Sequence, residues 1–184
     1  MIRIFLIGYM GAGKTTLGKV LARKLNLSFV DMDCFIENRF RKKIWDLFEE
    51  HGEIGFRELE RKILHEIAEF EDVIISTGGG SPCFFDNIDF MNRKGHTIFL
   101  EVQPDVLFAR LRVTSASRPM LKGKADEELR TFIIQTIEKR MPFYIQAKYT
   151  FKADELQNDV QVNKTAHQLL VALSLNVIDM KKVI

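Results

Sequence analysis

A glycine-rich motif near the start of the chain has the residues and the spacing of a phosphate-binding loop. It reads Gly-x-x-x-x-Gly-Lys-Thr from Gly8 to Thr15. Glycines in such a loop let successive backbone N–H groups point at phosphate oxygens, and a helix that begins there adds the positive end of its dipole. Lys14 can bring a charge to the terminal phosphates, and Thr15 can offer a hydroxyl to Mg2+. The motif therefore predicts a nucleoside triphosphate site that uses Mg2+.

Two carboxylates follow a later apolar run and could divide the work of phosphoryl transfer. Asp31 and Asp33 are separated by one residue, and a strand that continued through them would direct both side chains to the same side. One acid could organise Mg2+ or its water while the other orients and deprotonates the attacking hydroxyl. The alternative is that the two acids only end a strand and cap a helix. No acid ends the run 73–76, where many GTPases and ATPases carry their metal-binding aspartate.

The elements that position these residues are short apolar runs alternating with helical patterns. The runs predict strands at 2–7, 27–30, 73–76, 97–102 and 149–152. Apolar residues at helical spacing predict helices that include 44–50, 56–70, 105–112 and 127–146, and Asn163 is expected to cap a final helix through 175. Strands alternating with helices favour an α/β fold with three layers, α/β/α, around a five-stranded parallel sheet.

Composition limits the class of protein. The 184 residues are 46% hydrophobic and 28% charged, which predicts one folded domain over 1–184. A net charge of +2 is too balanced for a broad nucleic-acid surface, and no segment has the roughly 18 apolar residues of a membrane span. Cys34 and Cys83 have neither disulfide-framework nor zinc-site spacing. We expect a cytoplasmic monomer that binds neither nucleic acid nor membrane.

Six motifs, in order along the chain, resemble those of the shikimate kinases, small P-loop kinases of the nucleoside-monophosphate-kinase type. After the glycine-rich loop and Asp31-x-Asp33, the matching segments are 44–48 with 52–60, 78–80, 118–121 and 140–144. They are close to the family's I-x-x-I-F with G-E-x-x-F-R-x-x-E, its glycine triplet, its R-P-L-L and its R-x-P-x-Y. The resemblance covers most of the chain. It implies transfer of the γ-phosphate of ATP to the 3-hydroxyl of shikimate, giving shikimate 3-phosphate and ADP in aromatic amino-acid biosynthesis.

On the ATP side, the resemblance implies that the phosphates lie in the glycine-rich loop under a lid formed by about 113–126. The residues implied to bind ATP are Gly11, Ala12, Gly13, Lys14, Thr15, Thr16 and Arg118. Lys14 and Arg118 are also implied to be catalytic, and Thr15 and Asp31 to hold Mg2+. Arg110 is a candidate for stacking on the adenine base, with an ordinary structural role as the alternative.

On the acceptor side, the resemblance implies a substrate-binding segment at about 33–61. The implied contacts of shikimate are Asp33, Arg57, Gly79, Gly80 and Arg140, with Phe48 and Phe56 as walls and Glu60 orienting Arg57. Asp33 is implied to be the catalytic base. Two guanidinium groups suit the acid group of shikimate, because each can meet a carboxylate with two parallel hydrogen bonds. The alternatives are that the arginines form surface ion pairs and that the phenylalanines belong only to the core.

Two other functions remain open from the residues alone. A related P-loop kinase could act on gluconate or a nucleoside monophosphate, although the two arginines argue against that acceptor class. A nucleotide-gated binding module would use the glycine-rich loop without phosphorylating a metabolite. Such a module predicts nucleotide binding with no acceptor-stimulated turnover.

Overall fold

The computed structural model describes residues 2–114 and 123–177. Its strands are β1 (Arg3–Ile7), β2 (Ser28–Asp31), β3 (Val73–Ser76), β4 (His96–Glu101) and β5 (Tyr149–Lys152). Its α-helices are α1 (Lys14–Leu25), α2 (Met32–Phe40), α3 (Ile44–Ile67), α4 (Asn87–Lys94), α5 (Pro104–Thr114), α6 (Asp126–Tyr144) and α7 (Asp159–Val177). A short 3-10 turn, Ser81–Cys83, follows β3.

The strands form one parallel sheet in the order β2-β3-β1-β4-β5. The central strand β1 pairs with β3 and β4, so that Phe5 lies opposite Ile75 on one side and Thr97 on the other. Because every strand runs the same way, all the loops after the strands emerge at one edge of the sheet. The five-stranded parallel sheet that the sequence predicts is confirmed.

Apolar side chains of the sheet pack into two clusters, one on each face. Ile4 and Leu6 of β1 join the cluster that contains residues of α1, α5, α6 and α7. Phe5 and Ile7 join the cluster on the opposite face, with residues of α2, α3 and α4. Alternate residues of one strand therefore enter different layers, which is the expected three-layer α/β/α arrangement.

The helices predicted at 44–50 and 56–70 are both present within α3, as two helical segments that meet at a kink at Gly52, where φ is 66°, a backbone conformation that glycine adopts without strain. One helix prediction was wrong in detail. The final helix begins at Asp159 rather than after Asn163. The side chain of Asn158 accepts a hydrogen bond from the backbone N–H of Gln161 at 3.0 Å and so caps the helix one turn earlier.

No helix within 2–114 or 123–177 is long and apolar enough to cross a membrane.

Candidate active site

The glycine-rich loop connects β1 to α1 at the carboxyl edge of the sheet. Its three glycines, Gly8, Gly11 and Gly13, all have positive φ, so a side chain at these positions would strain the turn. The Nζ of Lys14 donates to the carbonyl oxygens of Gly8 at 2.8 Å and of Tyr9 at 3.0 Å. These contacts hold the lysine charge over the loop, where the sequence predicts phosphate.

Asp31 links the loop to the next strand. The hydroxyl of Thr15 donates to Oδ2 of Asp31 at 2.5 Å, and Oδ1 of Asp31 accepts from the backbone N–H of Cys34 at 3.2 Å. Asp31 therefore caps α2 and also faces the glycine-rich loop. The strand does not continue to Asp33, because β2 ends at Asp31 and Asp33 lies in the first turn of α2.

Both aspartates nevertheless line one cleft, which has a volume of about 320 Å³. The predicted site residues that line it are Gly11, Gly13, Lys14, Thr15, Thr16, Asp31, Asp33, Gly79 and Arg110. Ala12 is buried in the core beneath the loop. The structure thus brings the predicted phosphate-binding residues and both acids together.

The two predicted clamp arginines lie against the glycine triplet after β3, and Gly79 of that triplet lines the cleft. A Cβ on Gly79 would lie 3.3 Å from Nη1 of Arg140, and a Cβ on Gly80 would lie 2.8 Å from Nη2 of Arg57. Side chains at these positions would therefore crowd the guanidinium groups. Asp33 and Gly79 line the cleft, and we call them, together with the adjacent Gly80, Arg57 and Arg140, the acceptor end of the cleft.

Arg57 is buried rather than displayed on a helix surface. Its Nη1 donates to Oε2 of Glu60 at 2.8 Å, and Glu60 is only 2% exposed. A weaker ion pair joins Arg57 to Glu53 at 3.7 Å. The alternative of a solvated surface ion pair was therefore wrong for Arg57.

Three aromatic rings surround the guanidinium group of Arg57. Its Cζ lies 5.3 Å from the ring centroid of Phe48, 5.5 Å from that of Phe56 and 4.2 Å from that of Phe84. Phe48 and Phe56 stack on each other at 4.0 Å. Sequence reasoning missed Phe84, because nothing in its local sequence sets it apart from the other phenylalanines of the chain. The rings restrict the directions in which the guanidinium can move.

Arg140 approaches the cleft from α6. Its Cζ lies 5.6 Å from the ring centroid of Tyr9 in the glycine-rich loop. One turn further along α6, the hydroxyl of Tyr144 donates to the carbonyl oxygen of Gly79 at 2.6 Å, and its ring stacks on Phe99 at 5.0 Å. The tyrosine of the R-x-P-x-Y motif therefore holds the glycine triplet, a role that the sequence did not reveal.

Arg110 binds main-chain atoms. It donates to the carbonyl oxygens of Gly11 at 3.1 Å, Ala153 at 3.1 Å and Asp154 at 2.8 Å. These hydrogen bonds tie the glycine-rich loop to the segment after β5, so the structural role considered for Arg110 is present. Stacking on adenine stays a prediction.

The pKa of the Asp33 carboxyl is raised to about 6. The main cause is that surrounding protein atoms remove part of the hydration that stabilises the charged carboxylate. The negative charge of Glu60 also raises the pKa, while the positive charge of Lys14 lowers it. The side chain is still open to water in the cleft, and that water screens part of the effect of its neighbours.

The oxygen atoms beside the glycine-rich loop suit Mg2+. The Thr15 hydroxyl and the Asp31 carboxylate are adjacent hard oxygen donors, which is the ligand chemistry that this ion prefers. Among the described residues there is no cluster of three or more His, Cys, Asp or Glu side chains that would hold a metal by itself. The donors therefore fit an ion bound jointly with phosphate oxygens and water.

The predicted lid can be described only at its two ends. Arg118 lies outside the described residues, as does most of the segment 113–126. Where the segment joins the helices, Nη2 of Arg112 in α5 lies 3.1 Å from Oδ2 of Asp126 in α6. The predicted roles of Arg118 in binding ATP and in catalysis stay predictions.

Known proteins similar to this chain include shikimate kinases. The family model "Shikimate kinase" matches residues 10–173. A shikimate kinase of Bacteroides thetaiotaomicron is 62% identical over 95% of this chain and 100% of its own. A crystal structure of shikimate kinase from that organism has a TM-score of 0.89 at 60% identity, covering 94% of this chain and 98% of the other.

A more distant solved structure shares the fold over nearly the whole chain. Shikimate kinase from Acinetobacter baumannii, solved in complex with shikimate, has a TM-score of 0.82 at 30% identity and covers 96% of this chain and 94% of its own. Together with the match to the family model, these similarities show that the chain belongs to the shikimate kinase family.

Proposed function

We propose that this protein transfers the γ-phosphoryl group of ATP to the 3-hydroxyl of shikimate and so makes shikimate 3-phosphate and ADP. The observation that supports this most directly is the acceptor end of the cleft. There a buried guanidinium, that of Arg57, lies against the glycine triplet, and Gly79 of that triplet lines the same cleft as the glycine-rich loop and Asp33. A site of this kind fits a small ring acid with several hydroxyls.

The acid group of shikimate is bound by Arg57 and Arg140. Arg57 is held by Glu60 and by three rings, so it loses little freedom when a ligand arrives. Its Nε is buried without a hydrogen-bond partner among the described residues, and a buried donor of this kind gains from an acceptor on a ligand. A carboxylate supplies such an acceptor and neutralises the guanidinium charge.

Asp33 is the base for the 3-hydroxyl. It takes the hydroxyl proton as the bond between that oxygen and the γ-phosphorus forms and the bond from phosphorus to the bridging oxygen of ADP breaks. A carboxyl whose pKa is raised towards the working pH is a better base than an ordinary aspartate. Asp33 lines the same cleft as Lys14, which supports a place for it near the terminal phosphate.

The ATP phosphates lie in the glycine-rich loop, bound by residues 11–16, with Lys14 neutralising charge on the terminal phosphates. Thr15 and Asp31 would hold Mg2+, Thr15 directly and Asp31 through water. When bound, the ion offsets negative charge on the phosphate oxygens. Arg118 would add charge from the lid and exclude water that could otherwise act as acceptor.

We further propose one functional domain over 1–184 that acts as a cytoplasmic monomer without a nucleic-acid or membrane partner. The near-neutral net charge of +2 supports the absence of nucleic acid. The two clusters of apolar residues share one sheet between them, which supports a single folding unit.

An acceptor panel tests the function. With ATP and Mg2+, ADP release measured by a coupled assay is expected to be strongly stimulated by shikimate, and not by gluconate or nucleoside monophosphates. Preference for another acceptor would indicate a related kinase instead of a shikimate kinase. Nucleotide binding with no acceptor-stimulated turnover would indicate a binding module.

Asp33→Asn tests the base. The amide is nearly isosteric but cannot take a proton, so turnover should fall by at least about 100-fold, while ATP affinity measured by calorimetry stays within about twofold. Asp89→Asn, an exposed carboxylate on α4, is the matched control and should keep the wild-type rate. A wild-type rate in Asp33→Asn would remove Asp33 from the mechanism.

The raised pKa of Asp33 can be measured in the free protein by carboxyl NMR titration. We expect a midpoint near 6, and a lower midpoint in Glu60→Gln, because one of the causes of the shift is then removed. The folded state binds this proton more tightly than the unfolded chain does, so protonation of Asp33 raises the free energy of unfolding. This contribution is lost as the pH rises through about 6. A midpoint at the ordinary aspartate value of about 3.9 would contradict the expected environment.

Arg140→Ala tests the acceptor clamp. Removing a charge-assisted hydrogen-bond donor should raise the KM for shikimate about tenfold or more while the KM for ATP changes less than about twofold. Lys139→Ala, which removes an exposed cation from the neighbouring position of α6, is the control. If both variants keep the wild-type KM for shikimate, Arg140 does not bind the acceptor.

A further inference from the structure

A chain of buried hydrogen bonds behind the acceptor end of the cleft ends in a serine hydroxyl. Oγ of Ser81 donates to Oε1 of Glu60 at 2.5 Å, while Nη1 of Arg57 donates to Oε2 at 2.8 Å. Ser81 is 0% exposed and Glu60 2% exposed. Each oxygen of the carboxylate therefore has its own donor, one from α3 and the other from the turn after β3.

Ser81 is itself held in place on both sides. Its backbone N–H donates to the carbonyl oxygen of Gly78 at 3.1 Å, and its carbonyl oxygen accepts from Nδ2 of Asn87 at 2.8 Å. Asn87 is fully buried at the start of α4. The hydroxyl of Ser81 thus comes from a rigid part of the fold and can fix the position of the group that it binds.

The side chains around this hydroxyl are crowded against a single glycine. A Cβ on Gly78 would lie 2.7 Å from Oε1 of Glu60, 2.9 Å from Oγ of Ser81 and 3.0 Å from Oδ1 of Asp33. Two carboxylates and the serine hydroxyl therefore meet at the main chain of Gly78. Without a donor on Oε1, the Glu60 carboxylate would lose the contact that keeps it turned towards Arg57.

We propose that Ser81 is a positioning residue for the acceptor. Its hydroxyl holds Glu60 in the orientation that aims the guanidinium of Arg57 at the carboxylate of the acceptor, and it does so without touching either substrate. This inference rests on the proposed role of Arg57 in binding shikimate. Its physical basis is that loss of one donor leaves an oxygen of a buried carboxylate unsatisfied, so the side chain turns to find another partner.

Calorimetric titration with shikimate, without nucleotide, tests the proposal. Ser81→Ala should weaken the Kd for shikimate about tenfold, the usual effect of losing one hydrogen bond to a charged group. In steady-state assays the KM for shikimate should rise similarly, while kcat and the KM for ATP stay within about twofold. Ser81→Cys keeps a donor at this position, although the thiol is larger and donates more weakly, so its loss should be intermediate.

A double-mutant comparison separates positioning from general damage to the fold. In a Glu60→Ala background both oxygens that Ser81 and Arg57 bind are already gone, so adding Ser81→Ala should change the Kd for shikimate by less than about twofold. Thr165→Val is the matched control, because it removes a hydroxyl that is also buried and donates to the carbonyl oxygen of Glu155 at 2.9 Å, but in α7. That variant should bind shikimate as the wild type does.

Two results would overturn the role of Ser81. One is wild-type shikimate affinity in Ser81→Ala, or in Ser81→Cys should the alanine variant not fold. The other is an equal loss of affinity from Ser81→Ala in the wild-type and Glu60→Ala backgrounds. If the wild-type protein neither binds nor phosphorylates shikimate, the proposed function fails as well. If the wild-type protein turns over shikimate and the Ser81 variants bind it equally well, only the positioning role of Ser81 is refuted.

Discussion

Glu60 carries a carboxylate into the protein interior, and a charge in that position has to be paired. Its partners come from different parts of the chain: Arg57 lies one turn earlier on α3, and Ser81 lies in the turn after β3. The pairing therefore fixes α3 against the glycine triplet. Because Arg57 is held by this carboxylate and enclosed by aromatic rings, the acceptor end of the cleft is built before any ligand arrives.

The parallel sheet brings this acceptor end to the glycine-rich loop. The carboxyl ends of β1, β2 and β3 all lie at the same edge of the sheet, where Lys14 and Gly79 follow β1 and β3 and Asp31 ends β2. The hydrogen bond from Thr15 to Asp31 joins the start of α1 to the end of β2, and the contact between the Tyr144 hydroxyl and Gly79 joins the glycine triplet to α6. The predicted ATP and acceptor sites are thus parts of one framework, which is what in-line transfer between two bound substrates would require.

Much of the site was readable from the residues because the signals are local. The glycine-rich loop needs its glycines where φ is positive, and Gly8, Gly11 and Gly13 have such angles. The sheet followed from the short apolar runs. Local signals were less reliable at element ends: a cap by Asn158 moved the start of α7, and β2 stopped at Asp31 because that residue caps α2.

The sequence by itself determined which chemical groups are present and where each lies along the strands and turns, because glycine spacing and apolar periodicity act over a few residues. Only the tertiary structure decided that Arg57 is buried and that Phe84 lies over its guanidinium. It also decided that Ser81 binds Glu60 and that Tyr144 binds Gly79. These contacts join residues distant in sequence, and whether a charged or polar group finds a partner depends on which segments the fold packs together.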